Sequence, residues 1–245
     1  MGWYVYALVD ARPSGRPARG LSGPLSVRAH AGVLVLVERR ADVPPAEFGT
    51  LRKHQAVVSA IAARVPAILP VRFGTLLEAE EIDEALGGRE PEIEEAFALV
   101  RGRVQFTWRR VRRTRNIVHS KPVSTAYSAA PPGPGSDPRS EGASGAGAGP
   151  EGAGGAGAAY LRRAARAAQP NPPAAFRALQ RSLAGLVVQQ RYEPATAALP
   201  ESLYHLVDRA AAARYRKAAA TVLSATPALR MTGPWPPFAF VPEVL

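Results

Sequence analysis

The chain has 245 residues, 47% of them apolar, enough to bury one or two cores. It contains no cysteine, which excludes disulfides, thiolate metal sites and cysteine nucleophiles and suits a reducing compartment. Formal net charge is +11, so a nucleic-acid partner enters as a hypothesis that the placement of the charges must decide.

In chain order, "GWYVYALVD" (2–10) is β-branched and aromatic, a strand apolar on both faces. The start has no basic n-region and no apolar run reaches membrane-spanning length, so a soluble cytoplasmic protein is expected. A turn at Ala31-Gly32 leads into a strand over Val33–Val37. Pro44-Pro45 suit the first turn of a helix in which His54, Val57, Val58, Ile61 and Val65 form one stripe. Pro66 and Pro70 bracket a short extended segment. Thr75 and Glu78 have capping-box spacing for a helix that Gly87-Gly88 end, and a third helix near Pro91 puts Ile93, Phe97 and Val100 on one side.

Residues 102–113 alternate, predicting a half-buried strand with Val104, Phe106 and Trp108 inward and Arg103, Gln105, Thr107 and Arg109 outward. From 114 to about 158 the chain is rich in Gly, Ala and Pro and reads as a flexible, disordered insert. Asn171 is the expected cap of a helix running on to Gln190, with a Phe176, Leu179, Leu183, Leu186, Val187 stripe. A strand over 202–207 follows, then a helix capped by Asp208 with Ala212, Tyr215, Ala219 and Val222 inward, then a last strand at "ALRMT". The prolines after it should end the strand and make a polyproline-like strap anchored by Trp235, Phe238 and Phe240. The expected fold class is α+β with two domains. Residues 1–100 form the first, and residues 101–245 form a ferredoxin-like split βαβ whose first crossover holds the insert.

Chemistry-bearing motifs fail their context tests. The four histidines have no partner at ligand spacing, and the G-x-G-x-x-G matches starting at Gly147 and Gly152 lie in the low-complexity insert with no preceding strand. Neither a nucleophile elbow nor a P-loop occurs, so the expectation is a protein that is not an enzyme and needs no cofactor or metal. Charge is polarised: nine acids lie between Glu78 and Glu95, and arginines crowd residues 101–115. Such faces seat one domain on the other or dock a partner. Phe106 and Trp108 could stack on bases in a basic nucleic-acid-binding module, but alternation turns them away from the arginines. In "LPVRFGT" (69–75), Arg72 sits among apolar residues and reads as a buried or half-buried cation paired with a nearby glutamate or a ligand anion. His54, on an apolar stripe, reads as a hydrogen-bonded core histidine.

Five stretches together resemble one family. "YVYALV", "LRKHQAVVSAIAARVPAILPVRFGT", "GRVQFTWR", "YL" at 160–161 and "MTGPWPPFAFV" (231–241) are similar, in order, to the gas vesicle protein GvpL/GvpF family. The resemblance implies a non-enzymatic accessory protein required for gas vesicle assembly. It would be associated with the vesicle in the cytoplasm, with the small hydrophobic shell protein and other accessory proteins as partners and no nucleic acid or membrane. It also implies two α+β domains, the second a modified ferredoxin fold. The family motif singles out His54, Pro70, Arg72, Phe73, Gly74 and Thr75, and Gly233, Pro234, Trp235, Pro236, Pro237 and Phe238 in the tail, as structural or interaction candidates. Departures are Gln105 where the family commonly has Glu, Phe238-Ala239 for its Tyr-Ser, and an unusually long glycine-rich insert.

Overall fold

A computed structural model describes residues 1–15, 19–111, 172–197, 199–242 and 245. Met1–Val111 and Pro170–Leu245 form one compact unit, to which every element below belongs. The expected insert at 114–158, the cap at Asn171 and the Tyr160-Leu161 pair lie outside the described residues.

The first sheet is antiparallel, with strands β1 (Gly2–Val9), β2 (Ser26–His30), β3 (Val33–Arg40) and β4 (Ile68–Pro70) in the order β2-β3-β1-β4. A two-residue β5 (Leu76–Leu77) pairs with the start of β1. All of β1 is buried because helices cover both of its faces. Helix α1 (Phe48–Ala62) packs Val58 and Ile61 on the Tyr4 and Tyr6 face. Helices α2 (Ala79–Leu86) and α3 (Glu90–Val100) pack Ile82, Leu86, Ile93 and Phe97 on the face of Trp3, Val5 and Leu8. A bulge between Val5 and Ala7 shifts the register, so the inward set changes from odd to even positions.

Two helix starts differ from the sequence reading. Helix α1 begins at Phe48, after Pro44-Pro45, with Glu47 in extended backbone at the capping position. The α2 cap is not Thr75 with Glu78: the Glu81 carboxylate accepts from the Glu78 N–H at 2.8 Å, while the Thr75 hydroxyl donates to the Arg72 carbonyl and closes a turn.

The second sheet holds β6 (Arg103–Arg110), β7 (Gln189–Glu193), β8 (Ser202–Asp208) and β9 (Leu229–Trp235), antiparallel in the order β7-β8-β6-β9. With α4 (Ala174–Leu183) and α5 (Ala212–Ala225), the chain order is β-α-β-β-α-β. Strand β7 replaces the expected end of a long helix. After Leu183 comes a single 3₁₀ turn through Gly185, and Val187-Val188 favour extended backbone. Asp208 does not cap α5; it ends β8 and pairs with Arg103 at 3.3 Å, and the capping position is Ala211.

Strand β6 is not half-buried. Phe106 and Trp108 enter a core with Phe176, Leu179 and Tyr215, but Gln105 and Thr107 are buried as well. The chain's tail covers that second face, where Leu206 and Phe240 join the core beneath α2 and α3. The last strand also runs farther than expected, through Pro234 to Trp235. It is an edge strand, where a missing N–H removes no ladder bond on the open side. Its Gly233 has φ +121°, and a Cβ there would lie 2.7 Å from the Gln105 carbonyl oxygen, so only glycine fits. The Gly233–Pro234 bond is cis. The tail then makes a 3₁₀ turn at Phe238–Phe240 instead of a polyproline strap. Its buried anchors are Pro236, Pro237 and Phe240, while Trp235 is half-buried and Phe238 exposed.

Candidate partner-binding cleft

The expected site residues fall into three groups. The first surrounds Tyr4, at the centre of β1. The Tyr4 hydroxyl lies 3.0 Å from His54 Nδ1 on α1 and accepts the Gly74 N–H at 3.2 Å. The Phe73 ring meets both Tyr4 and His54 edge-on, and the Thr75 carbonyl accepts the Val5 N–H at 2.9 Å. Gly74, at φ +95°, makes the sharp reversal that a side chain would strain. Burial lowers the His54 pKa to about 4, so the imidazole is neutral at pH 7, a core histidine as expected. These contacts fix the loop from Val71 to Thr75 from below.

The second group lines a cleft of about 310 Å³. Pro70 and Arg72 of the loop form one wall, and Phe238, Ala239 and Val241 of the tail another. The floor is Gln105, whose side-chain Oε1 accepts the Ala239 N–H at 2.8 Å and whose Nε2 donates to the Thr107 hydroxyl at 3.1 Å. A glutamate there would serve as the same acceptor for Ala239 but could not donate to Thr107. Across the cleft, Arg191 of β7 donates to the Ala239 carbonyl at 3.0 Å and pairs with Glu193 at 3.2 Å, and the Tyr204 hydroxyl donates to Glu193 at 2.9 Å. Arg72 is exposed at the rim, not buried. The arrangement is a mainly apolar slot with guanidinium groups at its edge and a tail whose main chain is held at Ala239 by the side chains of Gln105 and Arg191.

The third group, Pro234, Trp235, Pro236 and Pro237, faces a separate groove against Ser59 and Ala62 of α1 and Ala63 at its end. The six motif residues between His54 and Thr75 and the six of the tail therefore do not converge on one point. Only Pro70, Arg72 and Phe238 share the cleft.

Sequence reading missed Arg191 and Glu193, because β7 begins where a helix was expected, and Tyr204, which lies on the expected strand at 202–207 but belongs to no motif. It also missed Glu38, a carboxylate that is 1% exposed at the end of β3. Glu38 accepts from the Tyr6 hydroxyl at 2.5 Å, the Ser22 hydroxyl at 2.6 Å and the N–H groups of Leu21, Ser22 and Gly23 at 2.6–2.9 Å. Burial alone would raise its pKa, but these donors outweigh that and hold it below the usual carboxylate range. The signal was an acid directly after an apolar run.

The described arginines of β6 are engaged within the fold: Arg103 with Asp208, Arg109 with Ser202 and Arg110 with Glu201. Phe106 and Trp108 are fully buried and cannot stack on bases. Among the described residues, no group of three or more His, Asp or Glu side chains could hold a metal ion, and no helix is long and apolar enough to cross a membrane.

Two antiparallel sheets with helices on their faces, and a cleft where the Val71–Thr75 loop meets the tail, define a mixed α/β protein. The chain belongs to the gas vesicle synthesis protein GvpL/GvpF family, whose model matches residues 2–242. Two crystal structures share its fold. The gas vesicle protein GvpF from Anabaena sp. PCC7120 is 14% identical with a TM-score of 0.63, covering 98% of this chain and 95% of that one. GvpF from Microcystis aeruginosa is 13% identical with a TM-score of 0.64, covering 98% of each chain. No curated protein matches significantly in sequence. Family membership gives the chain a role in gas vesicle assembly.

Proposed function

We propose that this protein is a non-enzymatic assembly factor that holds the small hydrophobic gas vesicle shell protein, and that the cleft between residues 69–72 and 238–242 receives it. A shell subunit must present an apolar face to gas, and before assembly that face would aggregate in water. A largely apolar slot with charged edges offers such a face temporary cover, and other accessory proteins would meet the remaining surface. The observation that carries the reading is the meeting of the two family-marking stretches in one cleft, Pro70 and Arg72 opposite Phe238. In this reading residues 101–245 act as a ferredoxin-like domain seated on an α+β domain of residues 1–100, and the protein works in the cytoplasm at the growing vesicle.

The test is co-expression with the shell protein. The wild-type chain should keep it soluble and co-purify with it, whereas a Phe238→Asp, Arg72→Glu double variant, folded by circular dichroism, should lose it. Equal retention by the double variant would remove the cleft from the account.

A further inference from the structure

On the opposite side of the first sheet from α1, the β2–β3 turn and α3 enclose a second groove of about 290 Å³. Its floor is apolar, made by Val33, Ile93 and Phe97. Its rim is acidic. Glu90 and Glu94 are exposed on α3, while Asp10 is neutralised by Arg101 at 2.6 Å. The turn that walls it is held in shape, because Asp83 accepts from the Ala31 N–H and lies against His30 Nδ1, each at 3.1 Å. Residues 78–95 carry nine acids and one arginine in a chain whose net charge is +11. The groove is therefore a local inversion of the protein's sign, and it favours a cationic, apolar occupant.

The chain displays such a group itself. Phe48, at the first position of α1, is 76% exposed, and Leu51 one turn on is 40% exposed. The Arg52 guanidinium lies 5.7 Å from the Phe48 ring, Lys53 follows, and α1 contains no acid, although Glu47 precedes it. An exposed aromatic beside an exposed leucine, flanked by cations, forms an apolar patch with a charged rim, the kind of surface that marks a protein-binding site. An apolar cavity of about 150 Å³ suffices for a benzene ring, so the groove has room for a phenyl group.

We propose that Phe48, with Leu51 and Arg52, docks into the acid-rimmed groove at Glu90 and Glu94 of a second copy of this chain. Knob and groove lie on opposite faces of the first sheet, so one copy cannot satisfy itself. The contact is heterologous and propagates head to tail. One aromatic anchor with a few charges buries less area than a standard interface, so association is weak, concentration-dependent and salt-sensitive. It is independent of what the cleft at Phe238 binds.

The test is analytical ultracentrifugation of the full chain at low salt. The wild type should form a concentration-dependent series of oligomers. Phe48→Glu, which destroys the knob, and Glu90→Lys, Glu94→Lys, which destroys the groove, should each weaken association at least tenfold with unchanged circular dichroism. Mixed, they should form a 1:1 dimer and nothing larger, because one retains the groove and the other the knob. The control Glu80→Lys, Glu84→Lys changes net charge equally on α2 and should associate like the wild type, as should Phe238→Asp. A monomeric wild type overturns the proposal, whichever other cationic partner the groove accepts. So does an equal loss in the α2 control, or a mixture of the two variants that stays monomeric.

Discussion

Each sheet of this protein buries a histidine against a tyrosine, and the two pairs do different work. Beside the first sheet, His54 Nδ1 lies 3.0 Å from the Tyr4 hydroxyl; in the second, His205 Nδ1 lies 2.7 Å from the Tyr215 hydroxyl. Burial lowers the pKa of both histidines to about 4. The third member distinguishes them. Tyr4 accepts the N–H of Gly74, in the half-buried loop that forms the cleft wall, whereas Tyr215 accepts the indole N–H of Trp108, at 2.7 Å and wholly inside the core. The same chemistry thus holds a surface loop in one place and locks helix α5 to its sheet in the other.

The largest expected effect breaks the comparison by removing a part that both sheets share. Ending the chain at Thr232 strips the buried Pro236, Pro237 and Phe240 and the last residues of β9, opening the core in which Phe240 packs with Leu206 of the second sheet and residues of the first. At ~25 cal/mol per Å² the loss is roughly several kcal/mol, and thermal melting should show an unfolded or nearly unfolded chain.

Next come the tyrosines. Tyr215→Phe leaves two fully enclosed partners unpaired, His205 Nδ1 and the Trp108 N–H, and should cost about 2–4 kcal/mol in urea unfolding. Tyr4→Phe strands one buried group and one that water can reach, so about 1–2 kcal/mol is expected. If the two losses were equal, the distinction between surface and core roles would fail.

Acid sharpens the likeness of the pairs. Both histidines have folded pKa values below the unfolded 6.5, so the unfolded chain binds more protons between pH 6.5 and 4. Their contribution is fully present above pH 6.5 and lost as pH falls to 4, by up to roughly 3 kcal/mol each. Urea midpoints at pH 7 and 4.5 should show the fall. His54→Asn and His205→Asn, which keep an acceptor near the Nδ1 position, should each flatten it by about one proton.

The smallest effect concerns the loop alone. Gly74→Ala at φ +95° should cost about 1 kcal/mol or slightly more, measured in the same way, and should weaken partner retention by moving Arg72.

These residues also show what a sequence can display. The two-faced burial of β1, the His54–Ile61 stripe of α1 and the inward face of α3 follow from periodicity, because each is decided by its own residues. Strand β7 was not readable. Leu186 and Val187, just before it, continue the apolar spacing of α4, its own residues Gln189–Glu193 are mostly polar, and pairing with β8 decides the matter. With it went Arg191 and Glu193, the partners of Ala239 and Tyr204 at the cleft. Glu38 was hidden for a related reason: its donors come from residues 6 and 21–23, brought together only by the fold. Pro70, Arg72 and Phe238 were visible as family markers, but their meeting across a cleft is a fact of tertiary structure.

The central claim is that the cleft carries the assembly role. The most direct measurement replaces the gene in a vesicle-forming host with the Phe238→Asp, Arg72→Glu form and counts vesicles by electron microscopy at matched protein levels. The account predicts that vesicles fail to form, as after deletion, although the variant is folded and abundant. Normal vesicles from that strain would contradict it.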